Sequence, residues 1–509
     1  MNHIKLWEPK SCPSTIAWKQ TRSLADIQTH SGKQESAVTG NPGMWSTKDI
    51  LQATGGRLVA GEEASTCTGV STDSRTTQPG DLFIALSGDT YDGHTFIQKA
   101  LDRGAKGLVI RESYLSKQPI DFVQKPCVIA VPDTLKALGD LAMFHRRRSP
   151  ASVIAITGTN GKTTTKEMTA SILERSFCVL KTQGNFNNLI GLPLTLLGLT
   201  PTHEWAVVEL AMNHPGEIER LARICNPQLG IITNVAAGHL EGVKDLDGVM
   251  QAKGELLDVL GKKGTAVLNI DDPKVCRLAE QFPGRVLSFG IQNAAEVWAV
   301  PFSQTAVGCS FDLHWHDVTA RIRLQTPGKG AIYNALAAAA TGYRLGLSMD
   351  EVKEGLEATP SVPGRMTIVD LPGGVHLIDD TYNANPGSMV QAIETLIQLK
   401  GKSRGILILG DMLELGDHSV TAHKELGALA AGSDISHLYA TGDYAKVVAE
   451  SAKKAGMSGK CIFVYKPEDI VKEVTKRLAP GDWMLVKGSR LMAMEKIVDA
   501  LCAKSIKKE

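Results

Sequence analysis

The chain has 509 residues, more than one hydrophobic core usually holds, so about two to four domains are expected. Hydrophobic residues make up 43% of the chain and charged residues 21%, the proportions of an ordinary globular protein. The 55 basic and 54 acidic residues give a formal net charge of +1, which offers no electrostatic reason to expect a nucleic-acid partner. No run of about 18 apolar residues occurs, so no membrane span is expected.

The nine cysteines are scattered along the chain, and no two are spaced as Cys-x-x-Cys. This pattern argues against a disulfide framework or a zinc site and favours a reducing compartment. We therefore expect a cytoplasmic protein, and we expect it to be a monomer.

Residues 1–43 differ from the rest of the chain because they are rich in Ser, Thr, Gln and Lys and have no apolar periodicity. They lack the apolar centre of a signal peptide, so we expect a disordered extension or the result of a start codon placed too early. Met44 begins a helical pattern with Ser46 or Thr47 as its N-cap.

Three further segments, residues 44–148, 149–347 and 348–509, are each expected to form a domain. In the second segment, short continuous apolar runs alternate with helical patterns, at residues 153–156, 206–210, 230–233 and 266–270. Such runs are typical of a parallel sheet covered on both faces, and the third segment repeats the alternation. The sequence therefore predicts an α/β fold. The basic run at residues 146–148 is expected to be a solvated helix end.

The strongest local motif is the run at residues 154–164, an apolar strand followed by a glycine turn and a helix. Gly158 and Gly161 would let backbone N–H groups approach phosphate oxygens, while Lys162 would reach the β- and γ-phosphates and Thr163 would bind Mg²⁺. Ile156 stands where the strict P-loop pattern has its first glycine. The alternative is an ordinary glycine turn that caps a helix.

Three later residues are candidate ligands or catalytic groups. Glu209 ends an apolar strand, where ligands collect in parallel sheets, and its carboxylate suits Mg²⁺. His239 follows another strand, and Lys253 lies in a helical pattern. Taken singly, Glu209 could face solvent, His239 could be structural, and Lys253 could be a surface charge.

The order of these motifs resembles that of the Mur ligases, over nearly all of residues 44–500. The positions that carry the resemblance are residues 157–164, Glu209, residues 213–218, His239, Lys253, Asn334, Arg365 and Asp380. The resemblance implies three domains: one for a UDP-sugar substrate, a central P-loop-type parallel-sheet ATPase domain, and a C-terminal Rossmann-like domain for the incoming amine.

The resemblance also implies roles for individual residues. ATP would be bound by Gly158, Thr159, Asn160, Gly161, Lys162, Thr163, Thr164, Asn334, Arg365 and Asp380, with Asn334 on the adenine. Mg²⁺ would be held by Thr163, Glu209, His239 and a carbamylated Lys253, and the catalytic residues would be Lys162, Lys253 and His239. The substrates would contact Ser74, Arg75, Asn185, Asn188, Tyr382, Asn383 and Asn385.

Within the family, four motifs resemble those of the members that add D-alanyl-D-alanine to a UDP-sugar tripeptide. They lie at residues 184–188, 379–386, 410–416 and 486–490. The implied reaction forms an acyl phosphate from ATP and yields a pentapeptide for peptidoglycan synthesis; whether the third peptide residue is lysine or diaminopimelate stays open. The family usually has Pro-Gly-Arg-His-Asn shortly before Asn334, whereas this chain has Lys329, Gly330 and Ala331 in the last three places, which puts adenine recognition in question.

Other functions remain open at this point. The chain could be another Mur-type amino-acid ligase or a folate polyglutamate ligase, although the latter lacks a UDP-sugar domain. From a different class, it could be a P-loop conformational switch, which would not need a third domain for an amine substrate.

Overall fold

The structure is a computed structural model that describes residues 44–88, 91–115, 123–305 and 308–506. The extension expected at residues 1–43 lies outside these residues. The first described helix, α1 (Thr47–Thr54), is capped by Ser46, whose hydroxyl accepts a hydrogen bond from the backbone N–H of Asp49. The N-cap predicted at Ser46 or Thr47 is therefore confirmed at Ser46. Within the described residues, no helix combines the length and apolar character needed to cross a bilayer.

Residues 44–148 contain a five-stranded sheet, a separate two-stranded pair, and helices against the larger sheet. The seven strands are β1 (Trp45–Ser46), β2 (Arg57–Ala60), β3 (Thr66–Cys67), β4 (Val70–Ser71), β5 (Leu82–Ile84), β6 (Gly107–Arg111) and β7 (Cys127–Val131). The later helices are α2 (Ile97–Asp102), α3 (Glu112–Leu115) and α4 (Thr134–Arg148). The order is β2-β7-β6-β5-β4, parallel except for β2 against β7, while β1 and β3 form a separate antiparallel pair.

The central sheet has nine strands. They are β8 (Ser152–Thr157), β9 (Val179–Lys181), β10 (Trp205–Glu209), β11 (Leu229–Ile232), β12 (Thr265–Asn269), β13 (Arg285–Gly290), β14 (Val297–Thr305), β15 (Gly308–Trp315) and β16 (Val318–Leu324). The helices are α5 (Lys162–Leu173), α6 (Gly191–Leu197), α7 (Glu217–Cys225), α8 (Leu240–Val243), α9 (Leu246–Leu260), α10 (Pro273–Gln281), α11 (Lys329–Arg344) and α12 (Met349–Ala358).

Strand β8 lies at the point where the order of the central sheet reverses, since the order is β16-β15-β14-β13-β12-β11-β8-β10-β9. Strands β8 to β14 are parallel, and β15 is antiparallel to its neighbours β14 and β16. In open α/β sheets such a reversal opens a crevice at the carboxyl ends of the strands, where ligands bind. The loop after β8 is the predicted phosphate loop, so the topology places it at this crevice.

The third sheet has six strands. They are β17 (Thr367–Leu371), β18 (Val375–Asp380), β19 (Gly405–Leu409), β20 (His437–Ala440), β21 (Ile462–Val464) and β22 (Trp483–Lys487). The helices are α13 (Pro386–Lys400), α14 (Ser419–Gly432), α15 (Ala445–Lys454), α16 (Pro467–Thr475) and α17 (Glu495–Ile506). The order is β17-β18-β22-β19-β20-β21, parallel apart from β17 against β18. One continuous cluster of buried apolar residues joins this sheet to the central one.

Two local features differ from the sequence expectation. Arg146 is buried, and its Nε donates a hydrogen bond to the carbonyl of Cys225, so the solvated helix end predicted at residues 146–148 is wrong for this residue. A cation can lie there because the helix end docks on the central segment. The strands β14 to β16 were not predicted, because they alternate apolar and polar residues instead of forming continuous apolar runs.

The boundary predicted between residues 347 and 348 would assign α12 to the third segment. In the structure α12 packs against α5 of the central segment, where Ser171 Oγ donates to the carbonyl of Gly355 over 2.7 Å. Val352 and Leu356 of α12 are buried in the same cluster as Ile172. We therefore propose that the boundary lies after α12. The boundary between residues 148 and 149 stays a prediction.

Candidate active site

The predicted phosphate loop joins β8 to α5 through two glycines with left-handed backbone angles. The φ angle is 142° at Gly158 and 84° at Gly161. A Cβ atom at Gly158 would stand 1.9 Å from Thr233 Oγ1, and one at Gly161 would stand 2.1 Å from Asn334 Oδ1. No side chain fits in that space, so both positions require glycine. Gly161 is also the N-cap of α5 and offers no side-chain cap, which leaves the first N–H groups of the helix available to an anion.

Lys162 is half-buried, and its ammonium group turns back onto its own loop. Its Nζ donates hydrogen bonds to the carbonyls of Gly158, over 2.8 Å, and Thr159, over 3.2 Å. Burial lowers the pKa of Lys162, and although the negative charge of Glu209 opposes this, Arg365 adds to it. These contacts hold a cation at the loop in the place where phosphate oxygens would arrive.

Glu209 ends β10 and is buried behind the phosphate loop with two neutral donors on its carboxylate. Thr163 Oγ1 donates to Oε2 over 2.9 Å, and Asn187 Nδ2 donates to Oε1 over 2.9 Å. No cation neutralises this carboxylate through a salt bridge in the part of the chain that the structure describes. A buried carboxylate with two neutral partners keeps lone pairs for a divalent cation.

Lys253 lies on α9 and is almost completely buried. Among the described residues, no hydrogen bond or salt bridge reaches its ammonium group. Burial, with the positive charge of Lys162 as a second cause, lowers the pKa of Lys253 well below its ordinary value. The structure thus contradicts the alternative of a solvated surface lysine.

The described residues contain no group of three or more His, Cys, Asp and Glu side chains placed to hold a metal ion. Two of the four predicted ligands carry oxygen atoms, the carboxylate of Glu209 and the hydroxyl of Thr163. These two groups are in direct contact. Both supply the oxygen ligands that Mg²⁺ prefers. This pair fits Mg²⁺, and the role of Lys253 as a further ligand stays a prediction.

His239 contacts a carboxylate from the loop after β19. Its Nδ1 lies 2.7 Å from Glu414 Oε2, although the contact does not have hydrogen-bond alignment. The close contact with the His239 ring is the main cause of a lowered pKa of Glu414. The backbone supports the same contact, since the N–H of Glu241 donates to the carbonyl of Glu414. His239 therefore links the central sheet to the loop after β19.

Arg365 and Asp380 approach the phosphate loop from the third segment. Arg365 Nη2 donates to Thr163 Oγ1 over 2.9 Å, and its guanidinium group lies over the ring of Tyr382, 4.1 Å from the centroid. Asp380 accepts a hydrogen bond from Lys487 Nζ, a buried ammonium group on β22. The central segment, through Glu209, and the third segment, through Arg365, thus both bond the hydroxyl group of Thr163.

A second contact between the sheets joins two amides. Asn385 Nδ2 donates to Asn160 Oδ1 over 2.7 Å, and Asn160 Nδ2 donates back over 3.4 Å. Asn385 also caps α13, because its Oδ1 accepts from the backbone N–H of Ser388. The cap of a helix in the third segment therefore touches the phosphate loop directly.

A cavity of about 530 Å³ lies between the central and third sheets. The predicted residues that line it are Thr159, Asn160, Gly161, Lys162, Thr164, Asn185, Asn188, Glu209, His239, Asn334, Arg365, Asp380, Tyr382, Asn383 and Asn385. Gly158, Thr163 and Lys253 are not among its lining residues, and the last two are buried. The arrangement brings a phosphate loop, a carboxylate and side chains from two sheets around one space.

One end of the cavity is formed by the start of α11 and by α13. Gly328, Gly330 and Ala331 line it without polar side chains. Across from them, Gln391 Oε1 would lie 3.2 Å from a Cβ atom at Gly330. Asn334, predicted to contact adenine, accepts a hydrogen bond from Thr165 Oγ1 beside the phosphate loop.

Ser74 and Arg75, predicted to contact the UDP-sugar, do not line this cavity. Arg75 is highly exposed and forms a bidentate pair with Asp73. Hydrogen bonds from Arg75 lower the pKa of Asp73 to about 2. Their role in substrate binding stays a prediction.

Three residues of the site were not predicted from the sequence. Asn187 was passed over between Asn185 and Asn188, yet it is the one that bonds Glu209. Lys487 was quoted within a motif but given no role, and Glu414 likewise. Each motif contained the signal, but the sequence gives no way to tell which member faces a carboxylate or an imidazole.

The chain matches three family models along its length. They are the Mur ligase family, catalytic domain, at residues 66–146; the Mur ligase middle domain at residues 156–342; and the Mur ligase, glutamate ligase domain, at residues 364–490. It is 36% identical over 441 residues to the UDP-N-acetylmuramoyl-tripeptide–D-alanyl-D-alanine ligase of Escherichia coli (strain K12), which covers 85% of this chain and 93% of that protein.

Solved structures show the same similarity. A crystal structure of MurF from Acinetobacter baumannii has a TM-score of 0.81 and 31% identity, covering 90% of this chain and 99% of that chain. MurF ligase from Thermotoga maritima in complex with ADP has a TM-score of 0.76 and 27% identity, covering 86% and 98%. The predicted α/β fold of three domains is thereby confirmed. With sequence identity above 30% across most of both chains, the chain belongs to the Mur ligase family.

Proposed function

We propose that this chain is an ATP-dependent ligase that joins D-alanyl-D-alanine to UDP-N-acetylmuramoyl-tripeptide, giving the pentapeptide precursor of peptidoglycan. The observation that carries the proposal is the contact beside the shared cavity, where Arg365 of the third segment and Glu209 of the central sheet both bond the hydroxyl of Thr163. We infer the two substrates from the name of the similar Escherichia coli ligase. The scattered free cysteines favour a cytosolic place of action.

The first step activates a carboxylate, which is a poor electrophile at neutral pH. An oxygen of the tripeptide carboxylate attacks the γ-phosphorus of ATP, the bond to the β–γ bridging oxygen breaks, and ADP leaves with that electron pair. Lys162 and the free N–H groups at the start of α5 stabilise the negative charge on the phosphates. Arg365 adds a second cation from the opposite wall.

The second step forms the amide bond. The amine of D-alanyl-D-alanine attacks the acyl carbon, phosphate leaves with the electrons of the broken C–O bond, and the amine loses a proton. Because the acyl phosphate would hydrolyse in water, the two reactants must be held together in an enclosed space. Tyr382, Asn383 and Asn385 line the wall that the third segment contributes, and we propose that they position the incoming dipeptide.

We further propose that Thr163 and Glu209 hold Mg²⁺, which when bound would neutralise phosphate charge. Lys253 would supply a second anionic ligand after the nitrogen of its neutral amine bonds the carbon of CO₂ and releases a proton, which leaves a carbamate anion. The lowered pKa of Lys253 supports this, because only the unprotonated amine reacts. His239 remains a candidate ligand through Nε2, because a carboxylate on the Nδ1 side, here that of Glu414, is the usual partner of a metal-bound imidazole.

Phosphate release in a panel of substrates tests the proposal. Release is expected only when ATP, the UDP-sugar tripeptide and D-alanyl-D-alanine are all present, with one amide bond formed for each phosphate. Replacing D-alanyl-D-alanine by single amino acids or folate plus glutamate would identify another ligase of the family. Steady ATP hydrolysis without either substrate would contradict the ligase and indicate a conformational switch.

A further inference from the structure

Lys166 is a fully buried cation that the proposed mechanism does not use. It lies on α5, one helical turn beyond Lys162, and its side chain is 0% exposed. Burying an ammonium group costs several kcal/mol unless acceptors replace the lost water, so lysines are rarely buried without partners. Lys166 Nζ has two such acceptors, the carbonyl of Thr182 at 2.6 Å and Glu167 Oε1 at 2.7 Å.

Only one of these two contacts is specific to Lys166. The carboxylate of Glu167 is partly exposed and also pairs with Lys181, whose Nζ lies 2.9 Å from Oε2. Glu167 would therefore keep a cation without Lys166. The carbonyl of Thr182 has no other recorded donor in the described chain.

Thr182 directly follows β9, the edge strand of the central sheet on this side, which has only three residues. Its backbone N–H donates to the carbonyl of Val207, and its Oγ1 accepts from the backbone N–H of Glu209. The segment that begins here leads, within five residues, to Asn187, the donor to the Glu209 carboxylate. The N–H group and the carboxylate of Glu209 are thus both bonded to the segment that Lys166 anchors.

We propose that Lys166 is a positioning residue for Glu209, which fixes the segment from Thr182 to Asn187 so that the carboxylate is held ready for a divalent cation. This inference rests on the proposed function, because it takes Glu209 to be a Mg²⁺ ligand. An apolar side chain at position 166 could fill the same volume, but it could not bond the carbonyl that starts the segment.

The test measures ADP binding to the full chain by calorimetry, with and without Mg²⁺; the ratio of the two affinities is called the Mg²⁺ gain. Lys166→Met is expected to reduce the Mg²⁺ gain about tenfold and to leave the affinity without Mg²⁺ within about twofold. Lys181→Met is the matched control, because it removes a partner of Glu167 without touching the carbonyl of Thr182, and its Mg²⁺ gain should be unchanged.

A second variant links Lys166 to Asn187. Asn187→Ala is expected to reduce the Mg²⁺ gain to a similar degree, and the double variant should lose little more than either single one, because both act through the same segment. Additive losses would mean independent roles and would overturn the inference.

Melting temperature separates positioning from stability. Glu167 keeps Lys181 as its cation, so Lys166→Met leaves only the buried carbonyl of Thr182 without a donor, and the variant should melt within about 10 °C of the parent chain. If this variant does not fold, Lys166→Gln, which keeps a donor but not the charge, is expected to show an intermediate Mg²⁺ gain. An unchanged Mg²⁺ gain in whichever variant folds overturns the inference, as does an equal loss of affinity with and without Mg²⁺.

The outcome also distinguishes this inference from the proposed function. A parent chain that binds no ADP, or shows no Mg²⁺ gain, contradicts the proposed nucleotide chemistry. A parent chain with a Mg²⁺ gain that Lys166→Met retains contradicts the role of Lys166 alone.

Discussion

The carboxyl edges of the central and third sheets carry charged side chains in equivalent places, but these side chains have different hydrogen-bond and charge partners. At the central edge, Glu209 receives only neutral donors, and Lys253 is buried with no hydrogen bond or salt bridge in the described chain. At the edge of the third sheet, Lys487 bonds both Asp380 and the carbonyl of Asn383. The first edge keeps unused binding capacity, whereas the second is already neutralised.

In the loop after β19, the buried polar groups are likewise hydrogen-bonded to other groups of the protein. Asp411 is buried and accepts hydrogen bonds from the backbone N–H groups of Asp443, over 2.7 Å, and Tyr444, over 3.2 Å. His423 accepts from the N–H of Met412 and donates to the carbonyl of Ser419. A buried polar group that is fully bonded fixes shape, and one with spare lone pairs can take a ligand. The two edges should therefore respond to substitution in different ways.

The largest effect is expected for Lys162→Ala, which removes the cation of the phosphate loop. Ligation should fall at least about a hundredfold, or about 2.7 kcal/mol, with the melting temperature nearly unchanged. Lys274→Ala, which removes a lysine paired with Asp247 at the surface, is the control and should keep full activity. A Lys162→Ala enzyme that retains more than about a tenth of the parent kcat would remove this loop from the active site.

Lys253→Ala should also be nearly inactive, and added formate or acetate at high concentration should restore part of the activity by supplying the missing carboxylate. Lys253→Arg should not be rescued, because its permanent charge and larger side chain occupy the same space. Steady-state kinetics with and without the added carboxylates measure this. Near-normal activity of Lys253→Ala would show that the buried amine has no part in the reaction.

A matched pair of carboxylate substitutions tests the comparison directly. Glu209→Gln should shift Mg²⁺ activation to about tenfold higher concentration with little change in stability, because it removes a charged ligand but keeps the shape. Asp411→Asn should do the opposite, lowering the free energy of unfolding by about 1–3 kcal/mol through weakened bonds to two buried N–H groups. Mg²⁺ titration and denaturant unfolding of both variants are the measurements. If both variants lose the same property, the two edges do not differ as described.

The parts of the site that could be predicted from the sequence are those formed by residues close together in the chain. The phosphate loop is found because its strand, glycines and helix are contiguous, and Glu209 is found because it ends an apolar strand. Asn187 and Glu414 are missed because their partners lie on other strands and loops, and the pairing exists only after folding. Lys166 was unremarkable as a helical lysine, since nothing in its neighbours along the chain shows that it is buried.

The third sheet should also lose stability in mild acid through His423. Burial lowers the pKa of His423 below its ordinary value, so its neutral form stabilises the fold above about pH 6.5 and this contribution is lost as the pH falls further. Asp411, whose pKa is raised mainly by burial, changes stability in the opposite sense when it takes up a proton. Unfolding measured from pH 7.5 to 5.5 should show a decline of about 1 kcal/mol that is smaller in His423→Gln. An identical pH slope in both would exclude His423 as the cause.

The smallest effect is expected at the end of the cavity that α11 and α13 form. Gln391 lines this end, and its carboxamide makes no hydrogen bond to another described residue. Because Thr163 and Glu209, the proposed Mg²⁺ ligands, belong to α5 and β10, we expect the base of ATP at the end that α11 and α13 form. A carboxamide can donate to and accept from the edge of adenine, but it can also turn over and match guanine, so weak selectivity for ATP is expected. Gln391→Ala should weaken ATP binding severalfold, by about 1 kcal/mol, while Gln391→Glu, which can only accept, should shift preference toward GTP. Gln398→Ala, two turns further along α13, is the control. An unchanged ratio of kcat/KM for ATP and GTP in Gln391→Glu would show that this side chain does not contact the base.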